Sequence, residues 1–85
     1  MVEKLSINIE VVSLNIEHNF LIPSNMSVES AISLVIKTIL DEYPGVKQNQ
    51  TDANFMIQAS SGKVLEPKCS FKQLGIIQGE KIILM

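Results

Sequence analysis

Cys69 and His18 carry the side chains best suited to nucleophilic or acid–base chemistry, and each is the sole residue of its type in the chain. A thiol nucleophile needs a base within hydrogen-bond reach. Cys69 falls in a loop beside Pro67 and Lys68, whereas His18 falls on the inward side of an alternating pattern. A small packed thiol and a strand-end imidazole are therefore expected rather than a dyad. One His and one Cys also fall short of a zinc site, which takes four ligands or three and a water. Asp41 and Glu42 are adjacent in a helical pattern, so they diverge by about 100° and share no site. Glu66 and Glu80 stand alone, and Gly45, Gly62, Gly75 and Gly79 each sit singly at a turn or cap, so no phosphate-cradling loop exists. The expectation is a chain with no catalytic residue, no cofactor and no metal, and not an enzyme.

What positions these residues is a chain of 85 residues, read as a single domain over 1–85. A hydrophobic fraction of 46% and a net charge of -2 suit a globular protein. Arginine is absent, and with it the bidentate donors that read guanine and phosphate, so nucleic acid is not an expected partner. No polybasic membrane patch is present. The lone cysteine suits a reducing compartment. The N-terminal Met1-Val2-Glu3-Lys4 leads straight into alternation without signal-peptide features. The longest apolar stretch, 31–40, is interrupted by Ser33, Lys37 and Thr38 and is far shorter than the ~20 residues that span a bilayer. A cytoplasmic protein without direct membrane insertion is expected. Asn25-Met26-Ser27 and Asn49-Gln50-Thr51 match the glycosylation pattern, which matters only in a secreted chain.

Leu5, Ile7, Ile9 and Val11 alternate with polar residues, and so do Ile16, His18, Phe20 and Ile22. This period of two predicts an antiparallel hairpin. Its turn is Ser13-Leu14-Asn15, with Asn15 tolerant of positive φ. Pro23 ends the second strand. Ser27 is an N-cap for a helix whose apolar stripe runs Val28, Ala31, Ile32, Val35, Ile36, Ile39, Leu40, Tyr43. Glu29 in its first turn suits the helix dipole. Pro44 and Gly45 stop it. A polar loop is expected over 46–52, a third strand over 55–59, and a short fourth at Val64 and Leu65. A short helical turn follows over 70–75, with Ser70 as cap and Gly75 as stop, and then a final strand over 81–85. One amphipathic helix must cover one face of one sheet. The expected class is α+β, a β-grasp with a mixed sheet of four to five strands.

The chain resembles the ubiquitin family at Ser27-Val28-Glu29, at Gly62-Lys63-x-Leu65-Glu66, and at the apolar Phe71, Leu74 and Ile76. Within that fold it is most similar to the YukD-like family of Gram-positive type VII (WXG100) secretion systems, through the run from Leu74-Gly75-Ile76-Ile77 to Lys81-Ile82-Ile83-Leu84. The resemblance implies a ubiquitin-like interaction module, a cytoplasmic accessory of a secretion machine that acts by protein contact. A secretion ATPase or membrane component would be its partner. The competing reading is a sulfur carrier or modifier, which requires a C-terminal Gly-Gly for activation. Here Leu84-Met85 end within the strand pattern, so that reading is disfavoured.

By strand parity, Leu5, Ile7, Ile9, Phe20, Ile22, Ile57, Ile82 and Leu84 belong under the helix, and Met56, Ile83 and Met85 on the opposite face. The resemblance places a binding patch at the first hairpin turn, on the third strand and on the last strand. Leu14, Met56, Ile83 and Met85 occupy those places and are the expected protein-binding residues. A homodimer through the same face is the other arrangement this pattern allows.

Overall fold

A computed structural model of the protein describes residues 3–45 and 55–85. Strand β1 spans Lys4–Val11 and strand β2 spans Ile16–Pro23. They pair antiparallel in an unbroken register from Lys4↔Pro23 to Val11↔Ile16. A 3-10 turn, Val12–Leu14, joins them, and Asn15 closes it in the left-handed region at φ 54°. Asparagine takes that conformation at little cost, as its place in the turn predicts.

Helix α1 runs Val28–Glu42. Val28, Ala31, Ile32, Val35 and Ile39 are its buried residues, at the spacing of one helical face. Its first amide groups, which no helix satisfies internally, are met in three ways. Val28 N–H donates to the Cys69 carbonyl (2.9 Å) and Glu29 N–H to the Pro67 carbonyl (3.1 Å). Ser30 N–H donates to the Ser27 hydroxyl (3.3 Å), the expected cap. The helix ends one residue before Tyr43, whose φ of -123° and ψ of 81° lie outside the helical range as its position before Pro44 requires.

Strand β3 is Met56–Gln58 and strand β4 is Lys81–Leu84. The sheet order is β2-β1-β4-β3. β1 and β4 are parallel, whereas β3 and β4 are antiparallel. One helix on one face of a mixed four-stranded sheet is the β-grasp plan. The core holds Leu5, Ile7, Ile9, Val11, Ile22, Ile82 and Leu84 from the sheet, the helical stripe, and Leu65, Phe71 and Ile76 from the connection before β4.

The short helical turn expected over 70–75 is present: Leu74 N–H donates to the Ser70 carbonyl (3.1 Å), Gln73 N–H donates to the Ser70 hydroxyl (3.1 Å), and Gly75 adopts φ 74°. Two local expectations are corrected. Val64 forms only an isolated bridge to Ile57, not a strand. The second correction concerns the phase of β3. Met56 is fully buried and lies opposite Leu84, while Ile57 lies opposite Ile83. Cross-strand partners share a face, so Met56 faces the core and Ile57 the open side, the reverse of the expectation. The connection after β3 holds this phase. Leu65, itself buried, donates its N–H to the Met56 carbonyl (2.8 Å). The polar loop expected over 46–52 lies outside the described residues.

Candidate functional site

The face of the sheet away from the helix is built by side chains of opposite parity to the core. On β4 that parity gives Lys81, Ile83 and Met85, because Ile82 and Leu84 are buried. Opposite Ile83 stands Ile57. One step further, Phe55 and Met85 exchange both backbone hydrogen bonds (3.1 and 3.0 Å) and extend the ladder. Val64, bridged to Ile57, adds a residue on the outer edge. The result is a contiguous apolar set, Phe55, Ile57, Val64, Ile83 and Met85. Phe55, Val64 and Met85 are 43%, 60% and 48% exposed, and Ile57 and Ile83 are half-buried. Clusters of this kind on a small domain are where partners dock.

The β1–β2 half of the same face is mostly polar, with Leu21, 65% exposed on β2, as its apolar exception. Glu10 lies beside Ile83 and Asn8 beside Lys81. Lys81 Nζ lies 3.1 Å from Glu10 and 3.9 Å from Glu17. Asn8 Nδ2 donates to Glu17 (2.7 Å). The hydrogen bond to Glu10, and then the charge of Glu17, hold the Lys81 ammonium above its ordinary pKa. Two carboxylates share this one cation, and Lys4 stands on the same side further along β1.

The expected patch is thus partly assembled and partly replaced. Ile83 and Met85 stand together on the open face. Met56 does not join them, since it is in the core. Leu14 is half-buried and packs against the core cluster, while Val12 in the same turn is 46% exposed. Phe55, Ile57 and Val64 are the residues that strand alternation missed. Phe55-Met56-Ile57 is an unbroken apolar run, so nothing in it sets which parity is inward.

The reactive pair is not brought together. The Cys69 carbonyl caps the first turn of α1. His18 hydrogen-bonds to the Tyr43 hydroxyl beyond the last turn. A helix of 15 residues separates them, which is about 22 Å. His18 keeps the helix-side parity, opposite the buried Ile9, but is itself exposed. Among the described residues no group of three or more His, Cys, Asp or Glu could hold a metal ion, and no helix is long and apolar enough to cross a membrane.

Solved structures place this architecture among known folds. The EccD5 ubiquitin-like domain from Mycobacterium xenopi superposes with a TM-score of 0.75 at 15% identity, covering 98% of this chain and 93% of that one. The fold is ubiquitin-like. The Caldiarchaeum subterraneum ubiquitin matches at a TM-score of 0.71 and 16% identity over 96% of this chain and 91% of its own. The ubiquitin-like domain of the Mycobacterium tuberculosis type VII secretion protein EccD1 matches at 0.69 and 11% identity, over 98% of each chain. At such identities the likeness is one of fold. No protein-family model matches the sequence, and no curated protein matches it.

Proposed function

We propose that this ubiquitin-like chain, one domain over 1–85, is a protein-interaction module that binds its partner through the β3–β4 half of the open face. The observation that carries this reading is the contiguous set of Phe55, Ile57, Ile83 and Met85, exposed or half-buried on a rigid ladder. Covering exposed apolar area returns about 25 cal/mol per Å². The module acts by contact, not catalysis, since Cys69 and His18 sit at opposite ends of α1. Ile83 and Met85 remain binding residues in this reading, and Ile57 takes the place first given to Met56. Leu14, half-buried and packed against the core cluster, is not given a part in this contact.

The setting we propose is the cytoplasmic side of a type VII secretion system, with a secretion ATPase or membrane component as partner. Two things support it: the YukD-like run at the end of the sequence, and fold neighbours that are themselves ubiquitin-like domains of EccD proteins, one described as a type VII secretion protein.

The test pairs the wild type with an Ile57→Asp/Ile83→Asp variant. Each protein is titrated against a purified FtsK-type ATPase or membrane component of the type VII secretion system of the same organism. The expected result is at least a tenfold weaker complex for the double variant, with its melting temperature nearly unchanged. Undiminished binding by a folded double variant would sink this face.

A further inference from the structure

The second edge of the sheet carries a different surface. β2 is the outermost strand on the side away from β3, is 8 residues long, and has no described strand beyond it. Which of its backbone groups point outward follows from the ladder. Ser24 N–H donates to the Glu3 carbonyl (2.8 Å), one step past the Lys4↔Pro23 pair. Bonded and non-bonded pairs alternate in an antiparallel ladder. Ile16, His18, Phe20 and Ile22 therefore bond to β1, and Glu17, Asn19 and Leu21 present their N–H and C=O groups outward. The other side of β1 agrees, because Asn8 N–H donates toward β4, to the Glu80 carbonyl (3.0 Å).

An open edge of this length is usually blunted by lysine, an internal proline or a bulge. β2 has no lysine, no internal proline and no bulge, and Glu17 is the one charged side chain among its outward positions: its sequence is Ile16-Glu17-His18-Asn19-Phe20-Leu21-Ile22-Pro23, with the proline only at its end and an unbroken register to β1. Leu21 is 65% exposed beside the outward groups. The strand is also complementary to itself. If a second β2 pairs antiparallel about a two-fold axis at Asn19, every outward residue meets an outward residue: Glu17 faces Leu21, Asn19 faces Asn19, and Leu21 faces Glu17. Each such pair exchanges both backbone bonds. Glu17 never meets Glu17, so no like charges oppose. On the helix side His18 faces Phe20 of the second copy and Phe20 faces its His18, where side chains approach most closely. Within one chain the two rings already sit edge-on at 6.4 Å.

We propose that two copies of this chain join β2 to β2 in this register, forming one continuous eight-stranded sheet. The two β3–β4 faces then lie on the same side of that sheet, with β4 and its symmetry mate about 24 Å apart at the ordinary strand spacing. The dimer would present its partner with two copies of the apolar face. The proposal does not depend on what binds that face, so the two can fail separately.

The test reads both mass and register. Sedimentation of the wild type over a concentration series is expected to show a monomer giving way to a dimer. Asn19→Pro leaves the bonds to β1 intact, because the Asn19 amide points outward, and is expected to weaken dimerisation at least tenfold. In a Cys69→Ser background, Asn19→Cys is expected to cross-link on mild oxidation, since bonded pairs lie about 5.5 Å apart between Cα atoms and disulfides span that distance. Glu17→Cys is expected not to, being about four residues, or roughly 14 Å, from its own mate. A single monomeric species at the highest concentration overturns the proposal, including the case in which an extended segment of another protein occupies the edge. So does a dimer that Asn19→Pro leaves intact, or equal cross-linking at positions 19 and 17.

Discussion

The two halves of the open sheet face meet at the seam between β1 and β4 and differ in what they leave unsatisfied. On the β1–β2 half, Asn8, Glu10 and Glu17 find partners among themselves and in Lys81 of the neighbouring β4 at 2.7 to 3.9 Å, and Leu21 is the one widely exposed apolar residue. On the β3–β4 half, Phe55 and Met85 stand nearly half exposed around Ile57 and Ile83. Backbone ladders run through both halves, so the contrast lies in the side chains. A polar group already hydrogen-bonded within the chain gains little when a partner arrives, and it must give up water to meet one. Exposed apolar area gains whenever it is covered. Recognition is expected where the chain does not satisfy itself.

The contrast breaks most sharply at two neighbouring residues, Met56 and Ile57. Met56→Ala empties a fully buried site and is expected to cost about 2–5 kcal/mol. Ile57→Ala removes one member of a cross-strand pair on the open side and is expected to cost under about 1 kcal/mol. Urea unfolding of both variants measures the difference. Equal losses would mean that the open side of β3 is not open. Binding is expected to invert the order, with Ile57→Ala weakening the complex and any folded fraction of the Met56 variant binding normally.

How far these surfaces could be read from the sequence depended on how each strand marks its own phase. β1 alternates cleanly, and all of its inward residues, Leu5, Ile7, Ile9 and Val11, are buried as expected. β4 is also an apolar run, Ile82 to Met85, but Lys81 before it points outward and so turns Ile82 and Leu84 inward. The helix announced itself by its stripe and by Ser27. β3 could not be phased, because three apolar residues in succession satisfy either parity. Its phase is set by long-range bonds, above all from Leu65 to the Met56 carbonyl. The candidate face shifted by one residue for that reason alone.

A smaller effect is expected on the polar half. Asn8→Ala deletes the 2.7 Å bond to Glu17 and is expected to cost at most about 1 kcal/mol. Partner affinity should stay within about twofold, because the apolar half is untouched. Calorimetric titration with the partner decides this. A tenfold loss would place the binding surface on β1 and β2 and remove the distinction between the halves.

The smallest effect sharpens the comparison by pH. The Glu10 hydrogen bond and the Glu17 charge raise the Lys81 pKa in the folded protein. A group whose pKa is raised by folding contributes stability while it is protonated in both states, and loses that contribution as pH climbs through its folded value. The wild type should therefore exceed a Lys81→Met variant slightly in melting temperature at neutral pH. The excess should fade as pH rises beyond the ordinary lysine range. High salt should shrink it as well, since the side chains are partly exposed, at 44% for Lys81 and 31% for Glu10. An Ile83→Ser variant should show the same alkaline loss as the wild type, because Ile83 offers no charge to the network. If Ile83→Ser instead abolished the pH dependence, the polar network would be held in place by the apolar ladder beside it, and the two halves would act as one surface.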